Sequence, residues 1–336
     1  MKNIRITLLT LVLLTTIGLT GTQAQPGDGT YTVGYLNYLG GDAFKAEMTS
    51  LGYIEGTNIT YLVPSFENVA PENFMASYMQ QVQDMTAQGV DVFVTNVDSD
   101  ATGIQSITGN IPIVFSRSDD PIATGAVADL VHPGGRITGV VTNRPHERRL
   151  QLLTEIKPTT DMVVYLYDPN SLDGAAVLQQ VQIVADSLNV QLILAETPDE
   201  AAGIAALQNL PDGVDWLFLT PHIPYTADFF SALAAASVEH QAGSVWDASD
   251  PLPGYVVSYG ISFSETDRQA AQIVDRVLRG ADPADLPVSI AENYLVLNLE
   301  AAAAIGLEIP VGVLRQADQI LYPGFFDTPT PTPGGN

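Results

Sequence analysis

The sequence has no cysteine, so it can form no disulfide, thiolate nucleophile or thiolate metal site. A lipid anchor of the kind built on a cysteine after a cleaved leader is excluded with it. Basic residues are nearly as scarce, 13 Lys and Arg against 38 Asp and Glu, for a formal net charge of −25. Binding nucleic acid or an anionic membrane needs clustered cations that displace counterions, and the chain has too few to cluster. The four histidines, His132, His146, His222 and His240, are scattered, with no partner at metal-ligand spacing. No Walker-type phosphate loop, G-x-S-x-G elbow or H-E-x-x-H helix occurs. Neither catalysis nor a cofactor is expected.

One apolar run is present, over 6–19, preceded by Lys2 and Arg5 and followed by the small-residue cleavage pattern Thr22-Gln-Ala24. A membrane-spanning helix takes about 20 apolar residues, so the run is short for that role. Residues 1–24 read as a secretory signal, which predicts export to a periplasm or the extracellular space. Its removal takes away Lys2 and Arg5 and none of the acids. The acidic excess either solvates the surface or attracts a cationic ligand.

Beyond the leader, strand-like and helix-like runs alternate, the pattern of a parallel α/β sheet. Strands are expected at 31–38, 58–63, 92–95, 112–116 and 138–141, then at 162–167, 191–195, 216–219, 243–246 and 256–259. Phe74, Tyr78, Val82 and Met85 mark one helical stripe, and Val177, Val181, Val184 and Leu188 another. The two sets predict two similar doubly wound lobes meeting near 142–144, with no Gly-, Ser- or Pro-rich linker between them. Thr328-Pro-Thr-Pro-Thr-Pro-Gly-Gly-Asn cannot bury a core, and 323–336 reads as an extended or disordered tail.

The most telling stretch is Ile111-Pro-Ile-Val-Phe-Ser-Arg-Ser-Asp-Asp-Pro, a β run that ends in polar residues. A helix-length segment, Thr124-Gly-Ala-Val-Ala-Asp-Leu-Val, follows, and then Pro133-Gly-Gly-Arg-Ile-Thr-Gly-Val-Val turns into another strand. Pro133-Gly-Gly lacks a following Lys-Ser/Thr and precedes a strand, so it reads as a tight turn and not as a phosphate loop. In wording and order this stretch resembles the substrate-binding proteins of ABC importers, in the group with tryptophan- and tyrosine-binding members. The likeness continues through Leu51-Gly-Tyr-Ile-Glu-Gly-Thr-Asn-Ile, Gly254-Tyr-Val-Val-Ser-Tyr-Gly and Asp267-Arg-Gln-Ala-Ala-Gln-Ile-Val-Asp-Arg-Val-Leu-Arg-Gly. Pro283-Ala-Asp-Leu-Pro-Val and Leu297-Asn-Leu-Glu-Ala-Ala-Ala-Ala-Ile-Gly-Leu-Glu-Ile-Pro extend it, so that it spans roughly 31–321. The chain departs from the family in Arg136, where Asn is usual, and in a shortened loop at 39–42.

The resemblance implies a type I periplasmic-binding-protein-like fold, two doubly wound parallel-sheet lobes joined by a three-crossing hinge. Lobe one would comprise 30–143 plus 260–288, with a return helix at 264–279, and lobe two 144–259 plus 289–322. It also implies a monomer that captures a small molecule, an aromatic or bulky apolar amino acid, and delivers it to the transmembrane subunits of an ABC permease. A ligand-sensing domain that presents its solute to a membrane receptor or kinase is the alternative.

Open α/β sheets bind ligands at the carboxyl ends of their strands. There lobe one carries Asn37, Tyr38, Asn96, Asp98, Ser99, Ser116, Arg117 and Asp120, and lobe two carries Tyr167, Thr220, Pro221, His222, Asp247 and Tyr259. The resemblance implies ligand contact at such positions. Taken singly, each has a structural alternative: the Asp and Asn as helix caps, the tyrosines as packing, and His222 as a loop residue. Arg117 either holds a carboxylate by paired hydrogen bonds or forms an ion pair with Asp119 or Asp120. If the acidic surface serves solvation, affinity for a ligand without net charge should barely change between low and high salt, since exposed charges are screened beyond about 8 Å at physiological ionic strength. Titration at two ionic strengths checks this, and a steep loss of affinity with salt would point to a cationic ligand.

Overall fold

The computed structural model of the chain describes residues 29–37, 41–67, 69–142, 145–170, 174–219, 226–249 and 254–325. The expected signal and the Thr/Pro repeat lie outside them. The alternating runs fold into two sheets. Strands β1 (Tyr31–Tyr35), β2 (Ile59–Leu62), β3 (Val92–Val97), β4 (Ile113–Ser118) and β5 (Ile137–Val141) join a late strand, β11 (Ser289–Ile290), in the order β11-β5-β4-β3-β1-β2, all parallel. The second sheet holds β6 (Met162–Tyr167), β7 (Gln191–Glu196), β8 (Trp216–Leu219), β9 (Gly243–Ala248), β10 (Val257–Ile261), β12 (Asn293–Asn298) and β13 (Gln319–Leu321). Its order is β13-β12-β10-β9-β8-β6-β7, parallel except where β12 runs against β10. The central strands read as continuous apolar runs, Trp-Leu-Phe-Leu in β8 for instance, because helices cover both of their faces.

In the first lobe, α1 (Asp42–Ser50) and α8 (Phe263–Leu278) lie on one face, and α2 (Phe74–Ala87) and α3 (Asp98–Ile104) on the other. In the second, α4 (His146–Ile156), α5 (Gly174–Leu188), α9 (Leu299–Ala304) and α10 (Val311–Leu314) cover one face, and α6 (Glu200–Leu207) and α7 (Ala227–His240) the other. Of the stripes read from the sequence, Tyr78, Val82 and Met85 in α2 and Val177 and Val181 in α5 are buried, whereas Phe74, Val184 and Leu188 are half-buried. The strongest is in α8, where Ala270, Ala271, Ile273, Val274 and Val277 pack on the first sheet. Its start is set by Ser262, whose Oγ accepts the backbone N–H of Glu265 in an S-x-x-E capping pattern.

The chain passes between the sheets three times: from β5 to α4, from β10 to α8, and from β11 to β12. Each passage leaves a sheet at the carboxyl end of a parallel strand, so the carboxyl ends of both sheets lie on the side where the lobes join. No helix among the described residues is long and apolar enough to cross a membrane.

The segment Thr124–Val131 corrects one expectation, because it contains no helix. It forms successive turns, with Thr124 N–H donating to the Asp120 carbonyl and Gly125 N–H to that of Ile122. Gly125 adopts φ +74°, and the Asp129 carboxylate takes the N–H groups of Val131 and His132, which draws the backbone away from a helical ladder. A second difference is that β4 runs on to Ser118, which puts Arg117 inside the strand and not in the turn beyond it.

Both fourth strands are irregular near their carboxyl ends. The β4–β5 register shifts between Phe115 and Ser118, and the β9–β10 register shifts between Ser258 and Ile261. Each shift goes with a glycine that permits close approach: a Cβ on Gly139 would lie 2.2 Å from the Phe115 carbonyl oxygen, and one on Gly260 would lie 1.9 Å from that of Asp247. Gly260→Ala must therefore displace backbone and should cost about 1–3 kcal/mol. Gly103→Ala, in α3 with nothing within 4 Å of the new carbon, should be neutral or stabilising. Denaturant midpoints of the two variants provide the comparison.

Candidate functional site

At the carboxyl end of the first sheet a buried polar network forms around Asp267, the fifth residue of α8. Its Oδ1 accepts from Asn37 Nδ2 at 2.9 Å and from Arg117 Nη2 at 2.7 Å. Asn37 also donates to Ser116 Oγ at 3.2 Å. The Arg117 guanidinium donates further to Thr266 Oγ1 at 3.2 Å and to Asn96 Oδ1, and it lies 4.9 Å from the ring centroid of Phe263. Arg117 is thus held by α8 and β3 with its side chain 13 % exposed. Of the two ion-pair partners considered from sequence, neither is used: Asp119 accepts from Thr142 Oγ1, and Asp120 takes the N–H groups of Ile122 and Ala123 in its own turn. Burial, followed by the charge of Asp267, raises the pKa of the neighbouring Tyr35 hydroxyl well above the usual phenol value, with Arg117 opposing. That group stays neutral.

Two buried residues here, Asn37 just past β1 and Ser116 of β4, meet half-buried Arg117 of β4, and Asn96 from β3 joins them. Asp98 opens α3 beside them and accepts the Thr124 hydroxyl. Ser99 is exposed on the same helix, its carbonyl taking the Thr102 hydroxyl. Two buried acceptors at this end, Asn37 Oδ1 and Ser118 Oγ, have no hydrogen-bond partner among the described residues. Leaving such a group unsatisfied costs about 1–3 kcal/mol.

The second sheet repeats the arrangement with the charges exchanged. Asp247 is the fifth residue of β9, as Arg117 is of β4, and its Oδ2 lies 3.9 Å from Nη1 of Arg149 on α4. Arg149 is fully buried, with Nη2 against Nδ1 of His146, Nη1 3.5 Å from the Leu219 carbonyl oxygen and its guanidinium 4.6 Å from the ring centroid of Phe218. Tyr167 ends β6, stacks on Tyr165 at 5.6 Å and donates to Glu196 at 3.2 Å. Tyr167 and Tyr259 both pack against the core on the α4 side of this sheet. Tyr38, Thr220, Pro221 and His222 lie outside the described residues. A separate groove of about 650 Å³ runs between α4 and α5, lined by Pro145, His146, Gln151 and Ile183 among others, and touches none of the fourteen expected contacts. Among the described residues no cluster of three or more His, Asp or Glu could hold a metal ion.

Asp267, Arg149, Thr266 and Phe263 were not read from the sequence as site residues. A signal existed for two of them. Arg149 shares a helical stripe with Leu153 and Ile156, and Asp267 with Ala271 and Val274, so each is a charge on an apolar face.

The sequence model described as ABC transporter substrate binding protein matches residues 47–321. A tyrosine-binding protein of Clostridioides difficile is 20 % identical over 286 residues, covering 83 % of this chain and 78 % of that protein. A crystal structure of an ABC domain in complex with L-Trp from Streptococcus pneumonia superposes with TM-score 0.70 at 20 % identity, covering 87 % of this chain and all of that one. The ligand-free, open structure of a substrate binding protein with adhesive properties from Clostridium difficile gives TM-score 0.67 at 17 % identity, covering 87 % and 99 % of the two chains. Arg149→Ala removes a buried cation 3.9 Å from the buried Asp247 carboxylate, and should lower the unfolding free energy by about 3–5 kcal/mol. Chemical denaturation measures this, and a loss under about 1 kcal/mol would show the pair to be solvated.

Proposed function

The chain belongs to the ABC transporter substrate binding protein family, and on that premise we propose that it is exported, captures an aromatic or bulky apolar amino acid between its lobes, and delivers it to the transmembrane subunits of an ABC permease. It is a binding protein and not an enzyme. The observation that supports the ligand site is the pair of buried polar atoms, Asn37 Oδ1 and Ser118 Oγ, that have no hydrogen-bond partner among the described residues, at the carboxyl ends of parallel strands where Arg117 also lies. Ligand or bound water completes such groups at small cost, because their desolvation has already been met in folding. Phe263, 38 % exposed at the passage from β10 to α8, supplies an aromatic face next to Arg117 on which a ring can stack. The relatives support the ligand class by their names alone: one is a tyrosine-binding protein, and another was crystallised with L-Trp.

The lobes would be 30–143 plus 260–288 and 144–259 plus 289–322, and the protein a monomer. Closure about the three passages would bury the ligand and present the permease with a surface formed by both lobes, a population shift towards the closed state. Export rests on the sequence of 1–24, and the extracytoplasmic setting of the family agrees with it.

Calorimetry with tyrosine, tryptophan and phenylalanine tests the ligand class directly. A bound amino acid at one hundred times its Kd should stabilise the fold by about 2.7 kcal/mol, seen as a raised Tm, and reduce the radius of gyration in solution scattering. An absence of binding to all common amino acids would overturn the ligand assignment, and confirmed binding with unchanged compactness would overturn closure.

A further inference from the structure

The two Arg–Asp pairs occupy corresponding places. Both sheets share one strand order up to their added edge, and β4 and β9 are the fourth strands in chain order of their lobes. Both α8 and α4 are entered directly from the other lobe and pack beside the helix that follows the first strand of their own, α1 and α5. In lobe one the strand carries the cation and the helix the anion; in lobe two the strand carries the anion and the helix the cation. The strand-borne charges, Arg117 and Asp247, are the groups that a zwitterion would be expected to use. Each has an opposite charge beside it, Asp267 at hydrogen-bond distance from Arg117 and Arg149 at 3.9 Å from Asp247.

We propose that Asp267 and Arg149 are specificity-determining residues of this site, cancelling the strand-borne charges so that the two lobes together favour a ligand of no net charge. This rests on the reading of the site as one for amino acids. The distances make the case. Asp267 sits 2.7 Å from Arg117, and its side chain is 4 % exposed, so solvent cannot take over its role. The Arg117 guanidinium spends its Nε–H and one N–H of each terminal nitrogen on Thr266, Asn96 and Asp267, which leaves it two N–H donors and little surplus field for a ligand carboxylate. Arg149 and Asp247 are buried more completely still, 0 % and 2 % by side chain, where an unbalanced charge acts over several ångströms with little screening. Asp267 and Arg149 therefore act on the ligand through their partners and through the local potential, and are positioning residues in that sense.

The test uses the mature protein and three probes at about pH 6, where an α-amino group is protonated: L-tyrosine, its cationic amide and its anionic N-acetyl derivative. The quantity read is the affinity ratio of the N-acetyl derivative to the amide, and steric differences between the probes cancel when variants are compared. Asp267→Asn, which keeps the shape and an acceptor for Arg117, should raise that ratio about tenfold or more. Arg149→Gln should lower it, and the double variant R117Q/D267N should return it to the wild-type value. General loosening of the site would move both single variants alike and would overturn the proposal, as would an unmoved ratio for Asp267→Asn in protein that still binds tyrosine. Should Arg149→Gln not fold, Asp267→Asn and the double variant decide without it. Wild-type protein that binds none of the probes would overturn the amino-acid reading, and this proposal with it, whereas binding with an unmoved ratio overturns this proposal alone.

Discussion

A charge taken out of water must take its counter-charge with it, and each lobe of this protein meets that demand at the same place: the carboxyl end of its fourth strand, against the first turns of the helix that enters from the other lobe. Desolvating two ions costs several kcal/mol apiece, and their attraction does little more than offset it, so such pairs are weak sources of stability. What they supply is position. With Asp267 tied to both Arg117 and Asn37, α8 cannot slide along the first sheet without stranding a buried charge, and on the second sheet α4 is placed by Arg149, which reaches the Leu219 carbonyl and lies 3.9 Å from Asp247. The helices just past two of the three passages are thereby keyed to the strand ends where a ligand would lie.

The parallel sheets explain why the strand ends and the passages share one side. A strand followed by a parallel neighbour needs a helix to bring the chain back, so β1–β5 finish at one edge of the first sheet and β6–β10 at one edge of the second. Leaving for the other lobe from a strand end costs only a few residues, as at 262 and 291–292, and puts the turning points beside the site. The local irregularities refine this arrangement. Gly139 and Gly260 let β5 and β10 close in on β4 and β9 at the register shifts, and Arg117 and Asp247 lie within the shifted segments. A bulge re-aims side chains at the end of a strand without altering the rest of the sheet.

Much of this was legible in the sequence because it depends on local pattern. Strand runs show in their apolar and β-branched composition, and the helix stripes of α2 and α5 in their periodicity. The 124–131 segment misled for a physical reason: apolar content sufficient for a helix is overruled by Gly125 and by the local hydrogen bonds of Asp120 and Asp129. The site was legible by halves. Strand-end positions pointed to Asn37, Asn96, Ser116, Arg117 and Asp247, which the structure places in the two polar networks, but the partners of the charges stayed hidden, since Asp267 is 150 positions from Arg117. Topology alone brings those residues together, and one-dimensional pattern does not encode it. The available clue was indirect: a charged residue on an otherwise apolar stripe, as at Arg149 and Asp267, must find its counter-charge inside the fold.

The same physics separates the charge of the whole molecule from the charge its site would see. A net −25 spread over the exterior sets solubility and long-range encounter, and dissolved salt screens it within about 10 Å. Charges buried at the strand ends are screened far less, so a single unbalanced carboxylate there would outweigh many at the surface. An acidic protein that handles a neutral or zwitterionic solute therefore has to settle its internal charges pair by pair, whatever its exterior carries. Placing the cation on the strand in one lobe and on the helix in the other does this without making the lobes identical. Two faces that are each balanced but differ in which charge the strand bears can meet opposite ends of one dipolar ligand, which two identical faces could not do.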